Sequence, residues 1–171
     1  MLYLLNITSL IWARLHFFKI NSATSRKISY LNDPAVAIQI FFTCYLFYRE
    51  ELSIEALAIC APLYIASLAL FWWSIFTTES LDFATGKHSG HLFTKGPYSL
   101  ARHPFYLSYS LIWLTSTLLW NAIALWISLI ALLCVYLVSA RMEEASILES
   151  PLAAEYIEYK KKTGMFWPKF F

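Results

Sequence analysis

Residues 105–140 read FYLSYSLIWLTSTLLWNAIALWISLIALLCVYLVSA and contain no charged side chain. A helix that crosses a lipid bilayer needs about 20 mostly apolar residues. The run is therefore too long for one such helix and long enough for two short ones. We predict a tight turn at Asn121, directly after Trp120, because asparagine tolerates the backbone conformations of turns. The stretch predicts a helical hairpin within a membrane.

The composition of the chain also favours a membrane setting. Of its 171 residues, 59% are hydrophobic and 14% are charged, whereas soluble domains have roughly 45–50% apolar and about 25% charged residues. A single soluble core cannot cover so much apolar surface. The net charge of +2 is not the basic excess that nucleic-acid binding requires, so we expect no nucleic-acid partner.

Three further segments are candidate membrane spans because of their apolar content: residues 2–18, 34–48 and 56–76. The first is interrupted by Arg14 and His16, and the sequence does not decide whether it crosses fully. Asp33 and Pro34 suit an N-cap and a first-turn proline, which predicts that the second helix begins there. With the hairpin, these segments predict an all-α integral membrane bundle of about five transmembrane helices.

The positive charges are distributed as this count requires. With five spans, eleven Lys and Arg residues fall on one side of the membrane: Lys19, Arg26, Lys27, Lys87, Lys95, Arg102, Arg141, Lys160, Lys161, Lys162 and Lys169. Arg49 falls on the other side. Because cytoplasmic segments collect Lys and Arg, we predict a multi-pass protein, of the cell membrane if bacterial, with its N-terminus outside and its C-terminus in the cytoplasm. No repeat or linker divides the chain, so residues 1–171 are read as a single domain.

The C-terminal tail is predicted to carry a short amphipathic helix. Ser150 and Pro151 suit its N-cap and first turn, and Gly164 suits its end. Glu158 can pair with Lys162, four residues later. Its apolar face is formed by residues at helical spacing: Leu152, Tyr156 and Tyr159. Such a helix lies against a membrane or a helix bundle.

Two short polar stretches are candidates for chemistry. Arg102 and His103 precede Pro104, and because proline tolerates a first helical turn, His103 is predicted to be an N-cap. Free N–H groups at that helix start, with Arg102 beside them, suit an anionic group such as a carboxylate. Glu143 and Glu144 directly follow the last span and return to the same membrane face. The alternatives are an interfacial anchor for the first stretch and a solvated helical turn for the second.

Several familiar sites are not indicated. His88 and His91 form an H-x-x-H pair without a convincing third ligand, so no metal site is predicted. The cysteines are widely spaced and form no C-x-x-C pair. With glycine only at positions 86, 90, 96 and 164, the chain has no G-x-G-x-x-G, Walker or G-x-S-x-G motif. A cofactor is therefore expected to be held by something other than a Rossmann turn.

The two polar stretches extend into longer motifs. The first block is LFTKGPY at 92–98 followed by RHPFY at 102–106, and the second is RMEE at 141–144 followed by YIEYKKK at 156–162. In this order, with a helical hairpin between them, the blocks resemble the signature of the isoprenylcysteine carboxyl methyltransferase family. That family shares its membrane superfamily with phospholipid methyltransferases. The resemblance covers roughly residues 90–168.

The resemblance implies a bundle of membrane helices with a cytoplasmic pocket for S-adenosylmethionine. The residues that it assigns to this cofactor are Leu92, Phe93, Tyr98, His103, Pro104, Phe105, Tyr106 and Glu144. His91 lies near a family histidine without matching its place. The candidate catalytic residues are Arg102 and Arg141, of which Arg141 stands next to the family's acceptor-orienting arginine. Ser108 replaces a glycine that is frequent in the family, and residues 151–153 replace a Phe-Gly pair. These departures weaken the assignment of the substrate more than that of the cofactor.

The predicted function is transfer of a methyl group to a lipidic or apolar acceptor, with membrane lipid as the surrounding partner. A prenylcysteine carboxylate, a phospholipid amine and an apolar thiol all remain open as acceptors, and the sequence does not indicate an oligomeric state. One alternative is an NADPH-dependent membrane reductase of the sterol or steroid type, although Phe105 replaces the asparagine of its motif. The other is a non-enzymatic membrane scaffold.

Overall fold

The computed structural model describes residues 1–18, 23–78 and 92–169. Over these ranges the chain is all-α, as predicted. Its helices are α1 (Leu2–His16), α2 (Ala23–Arg49), α3 (Ile54–Thr77), α4 (Pro97–Leu100), α5 (Pro104–Trp120), α6 (Ile123–Leu148) and α7 (Ala153–Lys162). The extended pairing in this part of the chain is one isolated bridge between Ala101 and Gly164.

Two predicted features of the bundle are confirmed. Helix α3 covers the predicted segment 56–76 and begins after Ser53, whose hydroxyl accepts a hydrogen bond from the Ala56 N–H at 3.1 Å. Asn121 adopts the left-handed conformation with φ 46° and separates α5 from α6. Its side-chain oxygen accepts a hydrogen bond from Trp126 at 2.9 Å, which fixes the turn of the hairpin.

The predicted start of the second helix is wrong. Helix α2 begins at Ala23, and Pro34 lies in its interior. Asp33 does not cap a helix, because its carboxylate pairs with Arg14 of α1 at 2.9 Å. An interior proline removes one backbone hydrogen bond of a helix without necessarily ending it. Most of the predicted connecting segment is thus helical, while residues 19–22 lie outside the described ranges.

The tail helix is confirmed, but its predicted start and its ion pair are wrong. Helix α7 begins at Ala153, because the Ser150 hydroxyl accepts a hydrogen bond from the Leu152 N–H and closes a turn before the helix. Glu158 pairs with Lys161 at 2.6 Å in place of Lys162. The buried face of α7 carries Tyr156 and Tyr159, as its amphipathic pattern predicts.

The bundle packs as two layers joined by the hairpin: α3 lies along α5, α2 lies along α6, and α1 packs on α3. Polar side chains tie the helices together at the core. Gln39 of α2 donates to the Trp113 carbonyl and to Thr117 of α5, and accepts from Ser128 of α6. These hydrogen bonds hold α2 against both helices of the hairpin.

Two helices of the described chain are long and apolar enough to cross a membrane: α3, with a mean hydropathy of 2.0, and α6, with a mean hydropathy of 2.5. Both present large apolar side chains outwards, among them Ile59, Phe76, Ile127 and Ile130. Exposed apolar surface of this extent is typical of contact with lipid. The count of five spans and the orientation of the termini stay predictions.

Candidate active site

The start of α5 forms the floor of the candidate site. Gly96, at φ 61°, turns the chain into the short helix α4, and His103 is the N-cap of α5 with Pro104 in its first turn, as predicted. The His103 side chain makes no capping hydrogen bond. It is therefore available to contact groups from other helices.

The tail closes on this floor through its backbone. The Arg102 N–H donates to the Gly164 carbonyl at 2.9 Å, and the His103 N–H donates to the Met165 carbonyl at 3.1 Å. A Cβ at Gly164 would lie 1.9 Å from the Trp167 carbonyl oxygen, so only glycine fits at this position. The sequence assigned Gly164 to a helix end, and its larger role is this close approach.

Glu144 is the centre of a buried ion cluster. Arg102 contacts its Oε1 atom through Nε at 2.9 Å and through its NH2 group at 2.7 Å, and Lys160 of α7 contacts Oε2 at 2.9 Å. Glu144 is 4% exposed and Arg102 is 8% exposed. Buried charges of this kind persist only when each has a partner of opposite sign. The two sequence blocks thus meet at one carboxylate.

Arg102, predicted to be a catalytic residue, is held on several sides. Besides Glu144, its guanidinium donates to the Thr163 carbonyl in the tail. The residue therefore joins α5, α6 and the segment after α7. This geometry holds the cluster together, while a contact of Arg102 with a ligand stays a prediction.

His103 lies between the two glutamates of α6. Its Nδ1 atom is 3.3 Å from Glu143, and its Nε2 atom is 3.4 Å from Glu144. Burial opposes the charged form, but hydrogen bonds to Glu143 and Glu144 outweigh burial and raise the pKa of His103 above its ordinary value. Because both ring nitrogens face carboxylates, the imidazolium, which donates from both, is favoured.

Glu143 also contacts Tyr106, a residue predicted for the cofactor. The Tyr106 hydroxyl donates to Glu143 Oε1 at 2.5 Å, one turn into α5. Glu143 was visible in the sequence as half of an acidic pair, but the resemblance carried only Glu144 into the site. Glu143 is identified only by its contacts in the tertiary structure, since these depend on how the ends of α5 and α6 face each other.

The remaining predicted cofactor residues form an apolar and aromatic wall beside the cluster. Phe93 and Tyr98 have ring centroids 5.9 Å apart. Leu92 packs against the buried residues Ile147, Tyr156 and Tyr159. The Tyr159 hydroxyl donates to the Tyr98 carbonyl at 2.5 Å, which joins α7 to α4.

Phe105, another predicted cofactor residue, lies at the first turn of α5. It packs with Phe71 of α3, at 6.0 Å between ring centroids, in a cluster that Phe93 also contacts.

His91 lies outside the described residues, as does His88, so the structure neither adds them to the site nor removes them. In the part of the chain that is described, no group of three or more His, Cys, Asp or Glu residues is placed to hold a metal ion.

Arg141 is not brought to the cluster. Its side chain is exposed on α6, and within the described ranges it makes no side-chain hydrogen bond or ion pair. Arg14, by contrast, forms an ion pair with Asp33 at 2.9 Å that joins α1 to α2. The acceptor-orienting role of Arg141 stays a prediction.

An apolar cavity of about 250 Å³ adjoins the site between α1, α2, α5 and α6. Its walls carry Tyr106 and Trp113 from α5, Val135 and Ser139 from α6, and the Arg14–Asp33 pair. An apolar cavity of about 150 Å³ already binds benzene, so this space can hold a larger apolar group. Sequence reasoning missed the cavity, because its walls are apolar residues from four separate helices.

The chain matches a known protein family. The sequence model described as phospholipid methyltransferase matches residues 56–151, which is more than half of the chain. The matched range runs from α3 through the hairpin to the end of α6 and includes Arg102, His103, Glu143 and Glu144. A comparison with individual curated proteins finds no match.

Proposed function

The chain belongs to the phospholipid methyltransferase family, and on that premise we propose that it transfers a methyl group from S-adenosylmethionine to a lipidic or apolar acceptor at the cytoplasmic face of a membrane. One observation carries the proposal. Tyr106 lines the apolar cavity and also donates to Glu143, which contacts the His103 side chain of the buried ion cluster. A polar site and an apolar site therefore meet at one side chain, as methyl transfer from a charged cofactor to an apolar acceptor requires.

The chemistry of the residues present fits S-adenosylmethionine. The compound carries a sulfonium, an ammonium, a carboxylate and an adenine ring. Glu144 provides negative charge for its cations, and Lys160, whose side chain is partly exposed, provides a positive charge for its carboxylate. Phe93 and Tyr98 provide aromatic faces for a ring or a sulfonium. The proposed cofactor residues are those of the resemblance: His91, Leu92, Phe93, Tyr98, His103, Pro104, Phe105, Tyr106 and Glu144.

Positioning is the main contribution of the chain to this reaction. S-adenosylmethionine would supply an electrophilic methyl group, whose transfer needs no covalent intermediate with the protein. Arg102 and His103 donate backbone hydrogen bonds to the carbonyls of Gly164 and Met165. These bonds hold the polar site against the end of the bundle. The cavity holds the apolar part of the acceptor away from water. Correct placement of two reactants can supply most of a rate enhancement of this kind.

The first test is cofactor binding by the His103→Ala variant, measured by calorimetry in detergent. Loss of a hydrogen bond to a charged group costs about 1.5–3 kcal/mol, so we expect S-adenosylmethionine affinity to fall roughly tenfold to a hundredfold. The control is His16→Ala, since His16 is exposed at the end of α1. Parental affinity in the His103 variant would remove this residue from the site. Binding of NADPH in place of S-adenosylmethionine would favour the reductase alternative, and binding of neither would favour the scaffold.

The second test separates two roles of Arg141. We propose, from the resemblance alone, that its guanidinium orients the polar end of the acceptor. Lysine keeps the charge but loses the planar fork that binds a carboxylate or phosphate in two places. Arg141→Lys should therefore lower turnover roughly tenfold or more and leave cofactor affinity unchanged. Turnover equal to the parent's would make Arg141 an interfacial anchor, in agreement with its exposed position.

A further inference from the structure

Tyr106 connects the apolar cavity to the ion cluster through an unbroken series of contacts. Tyr106 lines the cavity, and its ring stacks on Tyr136 with centroids 5.3 Å apart. Its hydroxyl donates to Glu143 Oε1 at 2.5 Å, and Glu143 Oε2 is 3.3 Å from His103 Nδ1. An acceptor held in the cavity can therefore reach a carboxylate through one hydroxyl group.

The two glutamates of α6 differ in how their oxygens are occupied. Glu144 accepts from Arg102 and Lys160, which carry fixed positive charges, in addition to its contact with His103. Glu143 is contacted by the neutral Tyr106 hydroxyl and by His103. Protonation of Glu144 would leave buried Arg102 without its counter-charge. Protonation of Glu143 affects only its pair with His103, which keeps Glu144 as a second carboxylate partner. Glu143 is accordingly the glutamate that can take up a proton while the Arg102 and Lys160 pairs stay intact.

We propose that Glu143, acting through the Tyr106 hydroxyl, takes up the proton that the methyl acceptor must lose. The proposal rests on the proposed function, since it concerns the acceptor side of the same site. The acceptor gives its N–H or S–H proton to the Tyr106 oxygen, and Tyr106 gives its own proton to Glu143. The acceptor nitrogen or sulfur then bonds to the methyl carbon as the donor's carbon–sulfur bond breaks, and the electron pair of that bond stays on the donor sulfur. Glu143 finally releases its proton to water.

The proposal selects among acceptors by their chemistry. An amine in its ammonium form, or a thiol, must lose a proton before its lone pair can attack, so a positioned base accelerates its methylation. A carboxylate is already ionised at neutral pH and needs no base. A relay between the cavity and Glu143 has a use only for an acceptor that carries a proton.

The charged and titratable groups around Glu143 must be considered in any pH profile. They come from four elements: His103 and Tyr109 from the N-cap and body of α5, Tyr98 from α4, Glu144 from α6, and Lys160 from α7. Arg102 adds the guanidinium that pairs with Glu144. Each of these groups can change the pH dependence of turnover. The effect of Glu143 is therefore measured with variants that leave all of them in place.

The test compares Glu143→Gln, Tyr106→Phe and the control Glu149→Gln, since Glu149 is exposed at the end of α6. Each full-length variant receives S-adenosylmethionine with a labelled methyl group and one of three probes: dodecylamine, dodecanethiol or dodecanoate. General base catalysis contributes about 10²–10⁴-fold, so Glu143→Gln should lower amine and thiol methylation at neutral pH by about a hundredfold. Tyr106→Phe should show the same defect, and Glu149→Gln should match the parent. Turnover of the Glu143 variant should rise with pH as the acceptor loses its proton to solvent, with cofactor affinity unchanged.

The outcomes separate this inference from the proposed function. Parental amine and thiol turnover in Glu143→Gln, or a loss that is equal at every pH, would overturn the proton relay. A parent that methylates dodecanoate alone would also overturn the relay, while leaving methyl transfer intact. A parent that binds no S-adenosylmethionine would overturn the proposed function itself.

Discussion

Replacing Glu144 with alanine is expected to lower the free energy of unfolding by about 3–5 kcal/mol, because removal of one partner of a buried ion pair leaves the other charge uncompensated. Arg102 is the buried charge that would lose its carboxylate partner. It is 8% exposed and lies 2.7 Å from Glu144, with the Thr163 carbonyl as its other partner. Denaturant unfolding of the purified protein in detergent micelles, followed by tryptophan fluorescence, measures the loss.

Two further variants control this result. Glu158→Ala removes an ion pair with Lys161 on the exposed side of α7, and it should leave stability unchanged, because such surface pairs contribute little. The double variant Arg102→Met with Glu144→Leu removes both buried charges and should regain most of the lost stability. Its affinity for S-adenosylmethionine should stay low, since the carboxylate is absent. Parental stability of Glu144→Ala would mean that the cluster does not hold the folded protein together.

The features of the fold that the sequence predicted are those that local chemistry decides. Helix α3 follows from an uncharged stretch of suitable length, and the turn at Asn121 follows from the one polar residue that tolerates a left-handed backbone there. The start of α2 was predicted wrongly because Asp33 and Pro34 have the chemistry of a helix start. Asp33 instead pairs with Arg14 on another helix, and a single sequence does not show that long-range contact.

The candidate site also has some features that the sequence predicts and others that only the tertiary structure determines. The N-cap position of His103 follows from the proline after it, and the two polar blocks were visible as motifs. The pairing of Tyr106 with Glu143 depends on how two antiparallel helices are rotated about their axes. The position of Gly164 against the Trp167 carbonyl depends on the path of the tail after α7. Both contacts depend on the tertiary structure, which periodicity and motif spacing do not determine.

The apolar cavity is the feature whose function is most directly tested by filling it. Val135 lies on the cavity wall contributed by α6, next to Tyr136 and one turn from Ser139. Val138, on the same helix, is 54% exposed and does not line the cavity. The two valines have the same size and the same helical context. They therefore form a matched pair for a substitution that adds bulk.

Val135→Trp is expected to lower methyl transfer to an apolar acceptor by on the order of a hundredfold, since a displacement of about 1 Å at the reacting centre already has an effect of that size. Overpacking costs about 1–3 kcal/mol of stability, so turnover is to be compared at a temperature where both variants stay folded. S-adenosylmethionine affinity should match the parent, because Glu144 is held by Arg102, His103 and Lys160 and not by Val135. Val138→Trp should keep parental turnover, since its added ring faces outwards. Equal turnover of the two variants would show that the acceptor does not use this cavity, and equal loss of cofactor affinity would show that the added ring disturbs the bundle as a whole.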